Sequence, residues 1–182
     1  MDKLELLKHV NAFARLDGNQ LALLARSVGS QTFQRGETIF HEGNIGSTLF
    51  MIVSGQVRIY TTSEAGQELT VTLFRDGDFF GEMALLDGQP RAASAEAMCR
   101  TVTLTLQRAA FLHTIDVCPA IAASVLEVMT ARLRQSNAIA DQLANMSASQ
   151  RVVRQLLGLA SRYGTADGGI IRIDLHLTQD DL

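Results

Sequence analysis

The spacing of apolar residues changes period along the chain, and each change marks a change of element. Over residues 1–30 they fall on two helical stripes, Leu4, Leu7, Val10, Phe13 and Leu16, then Leu21, Leu24 and Val28, divided by a turn at Asp17, Gly18 and Asn19. From Gln31 to Leu106 the pattern shortens into alternating or apolar runs, broken by turns carrying Gly36, Gly43, Gly55, Gly66, Gly77 and Gly88. The runs between those turns are rich in β-branched and apolar residues and predict strands over 38–40, 49–53, 56–61, 68–74 and 101–106. Many short strands at such spacing point to an antiparallel barrel or sandwich. After Pro119 the helical period returns, with Leu126, Met129, Leu133, Ser136, Ala140 and Leu143 at spacings of three and four. Residues 145–151 are small and polar and read as a hinge, where Ser147 or Ser149 can cap an amphipathic helix running through Leu159. A turn over 164–169 and an alternating strand over 170–175 follow, and Thr178 reads as the N-cap of one more helix.

Composition adds limits to this outline. A chain of 182 residues carries one full domain and a smaller unit. No apolar run approaches the roughly 18 residues of a membrane span, and the start, Met1, Asp2, Lys3, Leu4, Glu5, lacks the basic and apolar regions of a signal peptide. A cytoplasmic protein with no membrane partner is therefore expected. The net charge of −3 argues against a basic surface spread over the whole molecule, so any contact with DNA must be local. Cys99 and Cys118 form no Cys-x-x-Cys pair and are expected to be small buried residues, and His9, His41, His113 and His176 show no metal spacing. No metal is expected.

The chemistry concentrates between Phe80 and Ser94. Gly81 gives the backbone freedom for close approach to a ligand, and the helical turn after it offers free N–H groups to an anion. Glu82 supplies a carboxylate able to accept from a ribose hydroxyl, and nine residues later Arg91 supplies a planar fork suited to phosphate oxygens. The segment resembles the phosphate-binding cassette of cyclic-nucleotide-binding domains, with Gly81, Glu82, Ala84, Leu85, Pro90, Arg91, Ala92 and Ala93 filling its core positions. The resemblance implies an α+β fold built on an antiparallel jelly-roll-like β-roll with flanking helices. It also implies a ligand site formed by Gly81, Glu82, Met83, Ala84, Arg91, Ala92 and Ala93. Guanine-selective relatives tend to carry Thr where this chain has Ala92, which tilts the expected effector to cyclic AMP over cyclic GMP.

The helix after Pro119 would leave its apolar stripe in water if it stood alone, whereas a second copy would bury it at a symmetric interface. A homodimer through Leu126, Met129, Leu133, Ser136, Ala140 and Leu143 is expected, with the first turns around Ile121 and Val125 free to pack on the roll. Ser136 and Asn137 place polar groups on that seam, either to fix register or to meet a ligand. The run 132–137 resembles the long helix of the cyclic AMP receptor and FNR family, in which a Thr-Ser pair contacts the adenine. By that resemblance Ser136 and Asn137 take those places. The order of elements after residue 145 likewise resembles the opening of that family's winged helix-turn-helix, without the recognition helix.

Three regions are expected: a cyclic-nucleotide-binding β-roll with N-terminal helices over 1–118, a dimerisation helix over 119–145, and an incomplete DNA-binding unit over 146–182. The whole reads as a cyclic-nucleotide-responsive transcription regulator. Ligand in the roll biases the long helix and, in the full-length protein, DNA binding. This chain by itself is not expected to read DNA specifically. Two other readings remain: an orphan regulator of the same fold sensing another signal, or a nucleotide-binding module of an enzyme or channel. No nucleophile–base pair or metal constellation favours an enzyme.

Overall fold

The computed structural model describes residues 3–145, 147–168 and 170–173. The chain divides into two units, residues 1–128 and 129–182. The first opens with α1 (Lys3–Lys8), a 3₁₀ turn (Asn11–Phe13) and α2 (Gly18–Ala25). The turn predicted at Asp17 is the start of α2: its carboxylate accepts from the N–H of Asn19 and Gln20, both at 2.9 Å, while Gln20 Oε1 accepts from Asp17 N at 3.0 Å. That reciprocal capping box satisfies donors a helix start otherwise leaves unpaired. Leu7, Phe13, Leu21 and Leu24 from the two stripes are buried. Val28, expected to end the second stripe, instead begins β1 (Val28–Phe33), because the chain leaves the helix at Arg26 and pairs with the strand carrying Leu106.

The roll continues through β2 (Thr38–Phe40), β3 (Thr48–Ser54), β4 (Gln56–Thr62), β5 (Glu68–Arg75), β6 (Phe79–Phe80), a short α3 (Glu82–Asp87), β7 (Ser94–Ala97) and β8 (Thr101–Gln107). Two four-stranded sheets result, in the orders β1-β8-β3-β6 and β2-β7-β4-β5, with every pair antiparallel. All five strands read from the sequence are present within a residue of the expected bounds, and β1, β6 and β7 join them. The connection from β3 to β4 carries the chain from one sheet to the other through Gly55. Its φ of 116° suits glycine, and Thr101 leaves no room there for a Cβ.

Phe33, Phe50, Ile52, Val57, Phe80, Ala95 and Ala97 form a buried cluster, with Ile39, Phe40, Ile59 and Phe74 packed against it. Phe50 and Phe80 stack at 5.2 Å between centroids, and Phe40 lies 5.8 Å from the first and 5.9 Å from the second. Stacked and tilted aromatic pairs at such distances add to the gain from burying their area. The roll is therefore closed around an aromatic knot drawn from β2, β3 and β6.

A helix the sequence pattern did not separate, α4 (Arg108–Val117), precedes Pro119; its buried positions are Phe111 and Thr114. Arg108 Nε donates to the carbonyl of Leu85 at 2.8 Å, tying α4 to α3. Pro119 starts α5 (Pro119–Asn145), where its missing N–H costs no helical bond. Ile121 and Val125 are buried in the first unit, as expected of those turns.

In the second unit, α6 (Ala148–Tyr163) is capped by Ser147, whose side chain accepts from Gln150 N while Gln150 Oε1 accepts from Ser147 N at 3.0 Å. Of the two candidate caps, Ser147 is the one used. The helix runs four residues beyond Leu159. Part of the stretch read as a turn is β9 (Gly164–Asp167), which forms an antiparallel hairpin with β10 (Ile170–Ile173). The helix expected to open at Thr178, and His176, lie outside the described residues.

The knot makes a direct test of what holds the roll. Phe80 is fully buried among Phe40, Phe50 and Phe74. Phe80→Ala is expected to lower the unfolding free energy by about 3–5 kcal/mol, read from urea denaturation followed by circular dichroism.

Candidate functional site

β6 pairs with β3, Phe80 opposite Phe50, and so delivers Gly81 to the edge of the aromatic knot. Gly81 has φ 79°, a left-handed conformation that turns the chain sharply from strand into α3. At the other end Gly88, φ 71°, closes the helix with its N–H on the carbonyl of Ala84 at 3.1 Å. This compact turn returns the chain so that Arg91 comes back to the residue that began it.

Arg91 is held by its main chain first. Its N–H donates to Asn44 O and its carbonyl accepts from Gly43 N, both at 2.8 Å, which stitches it to the loop between β2 and β3. The guanidinium then turns inward and is only 6% exposed as part of the residue. Nη1 donates to Gly81 O at 2.7 Å and Nη2 donates to Thr48 O at 2.8 Å. Its central carbon stands 4.1 Å above the Phe40 ring and 5.9 Å from that of Phe50, distances at which a cation is attracted to the ring face. Nε is buried and has no hydrogen-bond partner among the described residues.

Burial lowers the pKa of Arg91 from its usual value, and the charge of Glu82 opposes the shift. Glu82 is itself buried, at 7% exposure. An arginine stays protonated under such conditions, so the site holds a buried cation with an N–H still to be satisfied. An anion bearing several acceptor oxygens, such as a phosphate diester, suits that demand. The fork expected to grip two phosphate oxygens has one N–H of each Nη group committed to a main-chain carbonyl, which leaves Nε as the buried donor without an acceptor.

The structure brings Gly81, Glu82 and Arg91 together, as the cassette pattern expected. Ala84 is buried beneath the turn, Met83 and Ala92 are exposed, and Ala93 is half-buried. Ser136 and Asn137 are exposed on α5 in the second unit, whereas the cluster around Arg91 lies wholly in the first. On the expected dimer face Leu126 and Leu133 are 63% and 62% exposed, Met129 is half-buried, and Ser136 and Ala140 are exposed. The side chain of Leu143 is outside the described residues. Cys118 is buried, while Cys99 is only half-buried, and both are free thiols. Among the described residues no group of three or more His, Cys, Asp or Glu is placed to hold a metal ion. Thr48 and Phe40 were not foreseen as part of the site. Thr48 contributes only a carbonyl, which no residue type announces, and Phe40 read simply as the end of a short strand.

The chain is similar to known proteins over most of its length. The model of the cyclic nucleotide-binding domain family matches residues 30–117, a stretch that contains every residue around Arg91 described above. A CRP-like cAMP-activated global transcriptional regulator of Mycobacterium tuberculosis is 33% identical over 178 residues, covering 98% of this chain and 80% of the relative. A cyclic AMP receptor protein of Thermus thermophilus is 38% identical over 127 residues, covering 70% of this chain and 59% of the relative. The crystal structure of the Thermus thermophilus catabolite activator protein superimposes with a TM-score of 0.68 at 26% identity, covering 90% of this chain and 93% of that one. With its β-roll, its cassette and a similarity that runs almost end to end, the chain belongs to the family of CRP-like transcriptional regulators.

Proposed function

We propose that this regulator takes cyclic AMP as its effector, with the cyclic phosphate held at Arg91 and a ribose hydroxyl held by Glu82. The observation that carries the proposal is the buried Arg91 Nε–H, which has no acceptor among the described residues and lies beside a glycine turn. Two relatives whose names specify cyclic AMP support the choice of nucleotide, and so does Ala92, which offers no hydroxyl to a guanine amino group. The site is one for binding rather than turnover. Glu82 and Arg91 compensate each other's charge, an arrangement suited to gripping a ligand and not to activating a nucleophile.

The proposal extends to assembly and output. The exposed Leu126 and Leu133, with Met129 and Ala140, form a stripe that a second copy would cover, giving a homodimer through α5. Ser136 and Asn137 on the same helix are assigned to the adenine base by the family resemblance. A ligand shifts the helix only to the extent that it binds one arrangement of the protein better than another. The helix α6 and the hairpin β9-β10 would then open a winged DNA-binding unit, and a role in regulating DNA supports a cytoplasmic location. No single helix among the described residues is long and apolar enough to cross a membrane.

Three measurements test this reading. By calorimetry, Arg91→Ala is expected to weaken cyclic AMP binding by roughly tenfold to a hundredfold or beyond detection, the value of a charge-assisted bond, without changing the mass of the dimer. Unchanged affinity would remove Arg91 from the site. In a thermal-shift series, cyclic AMP is expected to raise the melting temperature more than cyclic GMP at equal concentration, since the tighter ligand stabilises more by mass action; the reverse order would reassign the effector. Leu126→Asp with Leu133→Asp is expected to give a monomer in sedimentation, because two carboxylates cannot be buried unpaired at the seam. A dimer that persists would place the interface elsewhere.

A further inference from the structure

We propose that Gly46 is a positioning residue for the Arg91 guanidinium: the side chain it lacks is the space in which Arg91 Nε sits. The inference rests on the reading of Arg91 as the phosphate ligand, and it assigns a role to a loop residue that touches no ligand in that reading.

Two glycines line the guanidinium, and they differ in why they are glycine. At Gly81 a Cβ would stand 2.6 Å from Arg91 Nη1 and 3.1 Å from Thr48 O, but the φ of 79° already requires glycine there. Gly46 does not adopt the left-handed conformation, so its backbone could accept alanine without strain. The three atoms nearest to such a Cβ all belong to Arg91. A Cβ at Gly46 would overlap Arg91 Nε and Cζ and lie 2.8 Å from Nη2, and no atom of any other residue is as near.

The collision is with a side chain that has limited freedom to yield. Arg91 is fixed at one end by main-chain bonds to Gly43 and Asn44 and at the other by the carbonyls of Thr48 and Gly81, with Phe40 beneath it. Moving the guanidinium off Gly46 means giving up at least one of those carbonyl bonds or the stacking on Phe40. The loop that holds the Arg91 backbone therefore also fixes where its Nε points. A methyl group at position 46 would disturb the group that meets the ligand rather than the fold of the loop itself.

A double-mutant cycle over Gly46→Ala and Arg91→Ala tests this, because residues acting through each other are non-additive. With Arg91 present, Gly46→Ala is expected to weaken cyclic AMP binding roughly tenfold or more and to lower the urea midpoint of the ligand-free protein. In the Arg91→Ala background the same substitution is expected to leave the urea midpoint unchanged. Equal losses of urea midpoint in both backgrounds, or full affinity in Gly46→Ala, would overturn the proposal. If the unsubstituted protein bound no cyclic nucleotide, the ligand reading would fail, while the coupling of the two substitutions in the ligand-free midpoint would still decide whether Gly46 acts on Arg91. Should Arg91→Ala not fold, Arg91→Lys, which lacks the planar group beside Gly46, completes the cycle. A Gly46→Ala chain that folds only when Arg91 is also replaced would support the proposal; failure to fold in both backgrounds would refute it.

Discussion

Keeping a positive charge inside the roll is the constraint around which the first unit is organised. An isolated buried cation is costly unless its donors are matched and its charge is compensated. Here the matching comes from four groups: a carbonyl at the start of β3, a carbonyl at the turn into α3, a ring at the end of β2, and the Glu82 carboxylate. Gly81 and Glu82 are chain neighbours, and Thr48 and Phe40 join them only when both sheets have formed. The site is a product of the finished roll, and Phe40 and Phe50 serve at once in its aromatic core and as the floor of the guanidinium.

The compensation is incomplete, and the incompleteness has chemical meaning. Two of the Arg91 nitrogens are committed to main-chain carbonyls, which fix the plane of the group, while Nε has no acceptor among the described residues. On the proposed reading, a ligand phosphate would meet a donor already desolvated and already oriented. Preorganisation of that kind reduces the entropy that binding must otherwise cost. The left-handed glycines at 81 and 88 bracket the short α3, so the chain turns back and Arg91 reaches the carbonyl of Gly81.

Much of this could be read from the sequence because it depends on residue type. Gly81, Glu82 and Arg91 carry chemistry no other residues supply, and five strands declared themselves by β-branched runs between glycine turns. Ser147 could be narrowed only to one of two caps, because the deciding hydrogen bonds are geometric. The features that escaped have no such signature. β6 is two residues long and cannot show a period, β7 is Ser-Ala-Glu-Ala, and Val28 fits either the end of a helical stripe or the start of a strand. The α4 helix, with Phe111 and Thr114 as its buried residues, presents almost no stripe to find. Thr48 enters the site through an atom common to every amino acid.

That last point bears on how freely the protein can drift. Acceptors made of peptide carbonyls survive any exchange of the side chains that bear them, so position 48 can be rewritten over evolutionary time without disarming Arg91, provided the strand keeps its path. Descendants can therefore diverge widely in spelling while inheriting the same grip, and selection is concentrated on shape rather than on letters.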